Sequence, residues 1–127
     1  MRFWAFGREG EVVAELVRDF EREHRGGGGG GVHVRVQQIP WSAAHEKLLT
    51  AHVGGALPDL AQMGNTWVPE MVTLDALASL DSLVQISPGM DSAGHFPGIW
   101  ATNVVDGRLY GIPWYVDTRV LFYRSDI

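Results

Sequence analysis

Short apolar segments alternate with helical segments over the first half of the chain, and this order constrains the fold more than any other feature. Residues Phe3 to Phe6 form an apolar run that Gly7 ends, and its length and aromatic content predict a buried β-strand. Apolar residues then recur at helical spacing through residues 9–24, with charged residues between them: Val12, Val13, Leu16, Val17 and Phe20. The chain therefore begins with a predicted strand and an amphipathic helix that covers a sheet.

The same order repeats in the next segment. Residues Val32 to Val36 alternate like a second strand, which Pro40 closes. A helix follows, for which Ser42 is the predicted N-cap and Gly54-Gly55 the predicted end; one face is formed by Ala44, Leu48 and Ala51.

A third strand is predicted at Pro58 to Met63, followed by a loop at Gly64 to Thr66 and a helix from about Trp67. Strands that alternate with helices favour a parallel sheet with helices on both faces. The predicted fold class is therefore α/β, a three-layer lobe with a mainly parallel sheet.

The second half of the chain is less regular beyond Leu80. Turns are predicted at Ser87 to Gly89 and at Phe96 to Gly98. Asp106-Gly107 stands between two predicted apolar strands and predicts a two-residue hairpin turn. The last segment, Val116 to Tyr123, has the composition of a strand.

Six consecutive glycines occupy residues 26–31. A phosphate-binding loop would lead into a helix, and a P-loop would add a Lys-Ser/Thr pair, whereas a strand-like segment follows here. We therefore interpret residues 26–31 as a flexible linker loop that specifies no structure by itself.

Composition limits the classes of function. The 127 residues are 46% hydrophobic, enough for one α/β domain with a core. Acidic residues (15) outnumber Lys plus Arg (10), and the cations are scattered, which argues against a nucleic-acid partner. The absence of cysteine excludes disulfides, cysteine-zinc sites and thiol nucleophiles. No apolar run suggests a membrane span or a signal-peptide core, so an export signal would lie outside this sequence.

Two groups of residues raise other functions. Glu70, Asp75 and Asp81 lie in one segment, and paired carboxylates can hydrolyse glycosides, but their predicted positions at helix ends and turns favour a structural role. His45 and His52 lie on one helix, roughly 10 Å apart at 1.5 Å per residue, too far apart to share a metal ion. We interpret them as isolated surface histidines and predict no metal and no cofactor.

Four segments in this order resemble one family. They are Phe3 to Phe6 before an amphipathic helix, Leu57-Pro58-Asp59-Leu60 before a strand, Gly64-Asn65-Thr66-Trp67, and Asp106-Gly107-Arg108-Leu109-Tyr110-Gly111-Ile112-Pro113-Trp114 continuing to Leu121-Phe122-Tyr123-Arg124. Together they resemble the family 1 extracellular solute-binding proteins of ABC-type sugar importers. The last segment is the most specific and resembles the stretch where members first cross from lobe one to lobe two.

The resemblance implies a periplasmic-binding-protein-like fold of type II, present here in part. Residues 1–112 would form a partial lobe one, and residues 113–127 a crossover segment towards a second lobe. It also implies a sugar ligand, membrane permease subunits of an ABC importer as partners, a periplasmic or extracellular location at the membrane, and no catalysis. The alternatives are a non-functional or engineered fragment, or a piece of a carbohydrate-active hydrolase.

Candidate ligand-binding residues follow from where parallel sheets bind ligands. The loops at the carboxyl ends of the three predicted strands hold Arg8, Glu9, Trp41, Asn65, Thr66 and Trp67. Aromatic platforms flanked by polar side chains suit the apolar faces and hydroxyl rims of sugars. By resemblance, the crossover adds Trp114, Tyr115 and Asp117, with Arg119 as a balancing charge.

Each candidate also has a structural interpretation. Trp67 and Trp114 suit packing as well as binding, and Trp41 could staple the helix that follows it. Asn65 suits a turn, and Glu9 suits the electrostatics of a helix start. Trp4 lies within the first strand and is predicted to belong to the core.

Overall fold

The computed structural model describes residues 1–24, 31–87, 90–117 and 120–126. Contacts divide the chain into two units, Met1–Trp67 and Val68–Ile127. The predicted boundary at residues 112 and 113 stays a prediction. Most of the predicted linker loop, residues 26–30, lies outside the described residues. None of the helices in the described part of the chain is both long and apolar enough to cross a membrane.

The first unit is built on a parallel sheet of three strands. Strand β1 (Arg2–Phe6) lies in the centre, between β2 (Arg35–Ile39) and β3 (Leu60–Ala61). Phe6 pairs with Ile39 on one side, and Trp4 pairs with Ala61 on the other. The predicted parallel sheet is thus confirmed, and the apolar β1 is its central strand because both of its edges are paired.

Two helices, α1 (Glu9–Glu23) and α2 (Trp41–Val53), pack on opposite faces of this sheet. Trp4 and Phe6 share one face, where they meet α2: Lys47 Nζ lies 5.2 Å from the Trp4 ring, and Phe6 contacts Trp41. Gln38 lies on the other face and adjoins Gly10 of α1 so closely that a Cβ on Gly10 would stand 2.8 Å from Gln38 Cγ. The first unit therefore has the predicted three layers, and Trp4 is buried as predicted.

The buried side of α1 is narrower than predicted. Val13 is buried and Val17 half-buried, while three other apolar residues of the predicted face are exposed: Val12 at 56%, Leu16 at 55% and Phe20 at 41%. Residues 12, 16 and 20 form a separate line along the helix, one residue away from the line of residues 13 and 17. Only the second line lies against the sheet, because Gly10 brings that side of α1 close to β2.

Three further boundaries in the first unit differ from the prediction, and the first is that β3 spans only Leu60–Ala61 of the predicted Pro58 to Met63. Strand β2 begins at Arg35 rather than Val32, because its ladder with β1 sets its length and ends with the buried Ile39. Helix α2 begins at Trp41, directly after Pro40, without a side-chain cap. Ser42 therefore lies inside the helix, and its assignment as the N-cap is wrong. The helix ends at Gly54-Gly55 as predicted, with Gly55 at a positive φ of 62°.

The second unit contains short elements: α3 (Val68–Thr73), α4 (Asp81–Ile86), α5 (Pro97–Ala101), β4 (Val104–Val105) and β5 (Arg108–Leu109). Strands β4 and β5 form an antiparallel hairpin. Asp106 and Gly107 at its turn have φ of 49° and 74°, as a type I′ turn requires. The predicted hairpin is confirmed.

Two predictions for the second unit are wrong. Phe96 to Gly98 were predicted as a turn, but Pro97 begins α5, because proline without an N–H group suits the first turn of a helix. Residues 116–123 were predicted as a strand, but their described residues have no strand partner and are exposed. Strand composition without a partner does not form a ladder.

Candidate functional site

Strand β1 ends in a tight turn at the carboxyl edge of the first unit's sheet. The N–H of Phe6 donates to Oε1 of the buried Gln62 at 2.7 Å, and the N–H of Gly7 donates to the Ile39 carbonyl at 2.9 Å. Gln38 Nε2 in turn donates to the Gly7 carbonyl at 2.6 Å. Gly7 has a positive φ of 60°, which glycine adopts at little cost. The turn is therefore fixed by groups from both neighbouring segments.

Aromatic rings from three segments meet at this edge. The Phe6 ring is fully buried, and its centroid lies 5.3 Å from that of Trp41 and 6.3 Å from that of Trp67. The two indoles lie 5.9 Å apart at an interplanar angle of 60°. Trp41 remains 39% exposed and Trp67 is half-buried. We call Phe6, Trp41, Trp67 and His45 the aromatic cluster; its outer surface offers apolar rings to solvent.

The cluster combines the last residue of β1 with residues from the segments that follow β2 and β3. Trp41 begins α2 immediately after β2, and Trp67 ends a 3-10 turn (Asn65–Trp67) after β3. The N–H of Trp67 donates to the Gly64 carbonyl at 2.9 Å, and its indole lies against Gly64, where an added Cβ would stand 3.3 Å from the ring. Trp41 and Trp67 thus lie at the carboxyl ends of β2 and β3, and their ring contact adds to what the sequence predicted. Their role in ligand binding stays a prediction.

The four polar candidates differ in how close they lie to the cluster. Glu9 lies beside it, because a Cβ on Gly7 would stand 2.5 Å from Trp41 Cδ1 and 2.9 Å from Glu9 Oε2. Glu9 is also the first residue of α1 and lies in its acidic first turn, so its structural interpretation holds as well. Arg8, Asn65 and Thr66 are exposed in the loops that follow β1 and β3.

His45 was interpreted from sequence as an isolated surface histidine, and that interpretation is wrong. Its ring is half-buried, with its centroid 4.8 Å from that of Trp67. The signal was present in the spacing, since residues 41 and 45 are four apart and share one face of a helix. The supporting roles of Phe6 and Gly7 had no such signal, because they depend on the turn that follows β1.

Trp114, Tyr115 and Asp117 belong to the second unit. Their side chains are exposed, and the Trp114 and Tyr115 rings lie 5.8 Å apart in an edge-to-face arrangement. Arg119, the proposed balancing charge, lies outside the described residues. Trp114 and Tyr115 therefore form an exposed aromatic pair, and Asp117 follows them in the same exposed segment, separate in the chain from the cluster.

The carboxylates considered for hydrolysis occupy structural positions. Glu70 lies in the first turn of α3, and Asp75 follows that helix with a φ of 56°. Asp81 begins α4 and accepts from the Ser79 hydroxyl at 2.6 Å and from the Leu109 N–H at 3.1 Å, which hold the pKa of Asp81 below its ordinary value of 3.8. Among the described residues, no group of three or more His, Cys, Asp or Glu is placed to hold a metal ion.

One carboxylate links the central strand of the sheet to the edge strand β3. The backbone N–H of Arg2 donates to Asp59 Oδ2 at 2.6 Å, and this bond is the main reason why the pKa of Asp59 lies below 3.8. The positive N-terminus and the Arg2 guanidinium lower the pKa of Asp59 further. Arg2 also donates from its guanidinium to the Leu57 carbonyl. Asp59 thus fastens the start of β3 to β1, away from the aromatic cluster.

Several known proteins are similar to this chain. The sugar-binding protein MalE from Xanthomonas citri has a solved structure with a TM-score of 0.86 at 58% identity, over 98% of this chain and 30% of that one. The diacetylchitobiose-binding protein of Streptomyces coelicolor is 29% identical over 90% of this chain and 24% of its own length. The galactooligosaccharide-binding protein of Bacillus subtilis is 27% identical over 98% of this chain and 27% of its own.

The chain spans about a quarter to 30% of the length of these proteins. The model of one family, described as bacterial extracellular solute-binding protein, matches residues 7–127. This match takes in α1, β2, β3, three of the four residues of the aromatic cluster (Trp41, His45 and Trp67) and the hairpin that follows them in the chain. The chain therefore belongs to the family of bacterial extracellular solute-binding proteins.

Proposed function

We propose that the chain binds saccharides as part of the substrate-binding component of an ABC-type importer, and that the aromatic cluster is one of its ligand-binding surfaces. The observation that carries the proposal is the placement of Trp41 and Trp67 together, partly exposed, on a buried Phe6 at the carboxyl edge of the sheet. Open α/β sheets bind their ligands at this edge. Three relatives named for sugars support the choice of ligand class.

The chemistry of the cluster suits a sugar. A pyranose ring has an apolar face, which stacks on an indole, and a rim of hydroxyls, which needs donors and acceptors. In this proposal Trp41 and Trp67 supply the stacking surface, while Arg8, Glu9, Asn65 and Thr66 supply the polar partners. Trp114, Tyr115 and Asp117 serve the same ligand class from the second unit, with the Asp117 carboxylate accepting from hydroxyls.

Membership of the family supports a proposed cellular role. The protein acts outside the cytoplasmic membrane, in the periplasm or at the cell surface, and delivers its ligand to membrane permease subunits. It binds its ligand without converting it, so it is not an enzyme and needs no cofactor. The structural positions of Glu70, Asp75 and Asp81 agree with this role.

A titration of the 127-residue chain tests the proposal. We would screen mono-, di- and trisaccharides, among them diacetylchitobiose and a galactooligosaccharide, by thermal shift, since a ligand of the native state raises the unfolding midpoint. We expect weak binding, because the chain holds only part of the contacts available in its longer relatives. Sub-micromolar affinity would contradict that expectation, and the absence of any shift across the panel would contradict the proposed function.

Substitutions then test whether the aromatic cluster is the ligand-binding surface. Trp41→Ala should weaken binding about tenfold, since an aromatic contact is worth roughly 1 kcal/mol beyond its buried area. Trp41→Phe keeps a ring and should lose less. Tyr123→Ala removes an aromatic side chain that is 83% exposed in the second unit and serves as the control. Equal affinity in Trp41→Ala and Tyr123→Ala would exclude the cluster as the ligand-binding surface.

A further inference from the structure

Gln62 is a polar residue whose side chain is buried at the carboxyl edge of the first unit's sheet. It follows β3 directly and is only 7% exposed. Burying an amide is costly unless it is hydrogen-bonded, and Gln62 directs its side chain to the backbone of β1. Its Oε1 accepts from the Phe6 N–H at 2.7 Å. The amide at position 62 thus makes a bond that no apolar side chain could make.

The side chain of Gln62 replaces its own backbone in the sheet. The N–H of Gln62 donates to the Trp4 carbonyl at 2.8 Å, which extends the ladder of β1 and β3 by one bond. In this parallel register the next bond would run from the Phe6 N–H to the backbone carbonyl of Gln62. The side-chain oxygen of the same residue accepts from that N–H instead. The chain therefore leaves the sheet after Gln62 without leaving a buried N–H of β1 unpaired.

This early departure from the sheet leads directly to Trp67. Trp67 comes five residues after Gln62 and ends the 3-10 turn, where its N–H donates to the Gly64 carbonyl at 2.9 Å. Its ring centroid lies 6.3 Å from that of Phe6, the residue whose N–H is bonded to Gln62. Gln62 thus joins the segment that carries Trp67 to the buried ring of the aromatic cluster.

The end of β1 is fixed on its other side by β2. The Gly7 N–H donates to the Ile39 carbonyl at 2.9 Å, and Trp41 begins α2 two residues after Ile39. The end of β1 is therefore tied on one side to the segment that carries Trp41 and on the other, through Gln62, to the segment that carries Trp67. The spacing of the two indoles, 5.9 Å between centroids, depends on both ties.

We propose that Gln62 is a positioning residue of the aromatic cluster: its side-chain amide sets the separation and angle of the Trp41 and Trp67 rings, and thereby the affinity of the cluster for its ligand. Its role in saccharide binding rests on the proposed function, whereas its role in ring geometry does not depend on which ligand binds. A sugar stacks best on rings that are already held in place, because ordering them on binding would cost affinity.

Circular dichroism of the 127-residue chain reads the ring geometry without a ligand. Two indoles this close couple, and the resulting exciton couplet weakens steeply as the rings separate. The couplet of this pair is the part of the spectrum that Trp41→Phe and Trp67→Phe both remove. Gln62→Met keeps the length of the side chain without the amide oxygen and should reduce the couplet. Gln62→Glu keeps an oxygen in the same place and should retain more of it.

Saccharide affinity is measured on the same variants with the tightest ligand of the thermal-shift panel. It should fall roughly three- to tenfold in Gln62→Met, and less in Gln62→Glu. Val13→Ala is the stability control, since Val13 is buried under α1 on the opposite face of the sheet from the cluster. This variant should leave the couplet and the affinity unchanged, although it also destabilises the first unit.

Hydrogen exchange in the parent chain tests the bond without any substitution. The Phe6 N–H should exchange as slowly as the Gly7 N–H, which is bonded to β2. Much faster exchange at Phe6, or an unchanged couplet in Gln62→Met, would overturn the positioning role while the proposed function stands. A reduced couplet with unchanged affinity would also overturn it. No saccharide binding by the parent chain would instead overturn the proposed function, and with it the role of Gln62 in binding.

Discussion

The backbone of Gly7 lies directly against the indole of Trp41, where a Cβ on Gly7 would stand 2.5 Å from Cδ1 and 2.8 Å from Nε1. This contact joins the turn after β1 to the first residue of α2. It holds the exposed indole of the aromatic cluster at the edge of the sheet. Any side chain at position 7 would have to displace the ring that the proposed function depends on.

The first prediction concerns this contact. Gly7→Ala should destabilise the chain by roughly 2–3 kcal/mol, because alanine is strained at φ 60° and its methyl group also collides with Trp41. Gly55→Ala is the matched control, since Gly55 has φ 62° with open space around its Cβ position. It should cost only about 1 kcal/mol. Urea unfolding measures both values, and equal losses would show that the Trp41 contact adds nothing.

The second prediction concerns the close approach of α1 to β2. Alanine normally stabilises a helix relative to glycine by up to about 1 kcal/mol. Gly10→Ala should instead destabilise the chain by roughly 1–3 kcal/mol, because the new methyl group would stand 2.8 Å from Gln38 Cγ. Gly98→Ala in α5 meets no atom within 4 Å and should be neutral or stabilising. Thermal unfolding compares the two; a Gly10→Ala midpoint above that of the parent chain would contradict the packing described.

The third prediction uses two adjacent valines of α1. Val13 is 3% exposed and Val12 is 56% exposed. Val13→Ala should lose roughly 1–2.5 kcal/mol of stability, while Val12→Ala should change it by less than about 0.5 kcal/mol. Denaturant unfolding of the two variants checks this. Similar losses from both would mean that the broad apolar face indicated by the sequence, not the narrow one in the structure, covers the sheet.

These valines show where sequence patterns suffice and where they do not. The period of the apolar residues placed α1 within a residue at each end, because helical spacing is a local property. It could not separate the line of residues 13 and 17 from that of residues 12 and 16, because both fit the same period. Which line is buried depends on the contact between Gly10 and Gln38, which are 28 residues apart in the sequence and meet only in the folded chain.

Among the strands, too, local sequence specifies some features and leaves others undetermined. The Asp106-Gly107 hairpin was predictable, since its turn is specified by the two residues themselves. The start of β2 at Arg35 and the absence of a strand at residues 120–123 could not be predicted from the sequence, because both depend on whether another strand pairs with the segment. A strand exists only where another strand satisfies its N–H and C=O groups.

The candidate site was partly predictable for a topological reason. Trp41 and Trp67 follow strands β2 and β3, and the carboxyl ends of parallel strands lie at one edge, so their proximity followed from the fold class. His45, Phe6 and Gly7 were missed, because their contribution is contact geometry around those indoles. The residues that shape a site are harder to predict than the loops that hold it.

The last prediction concerns acid stability through Asp59. The Arg2 N–H bond lowers the pKa of Asp59 in the folded chain below 3.8, its value when unfolded. The stabilisation is therefore fully present above about pH 4 and is lost as the pH falls through the folded pKa. Asp59→Asn should lower stability at pH 7, and its deficit relative to the parent chain should shrink below pH 4. Asp75→Asn removes the same negative charge at another exposed position, and it should show no comparable loss of stability at pH 7. Urea unfolding from pH 2.5 to 7 tests the pair, and a pH-independent deficit for Asp59→Asn would rule out the linkage.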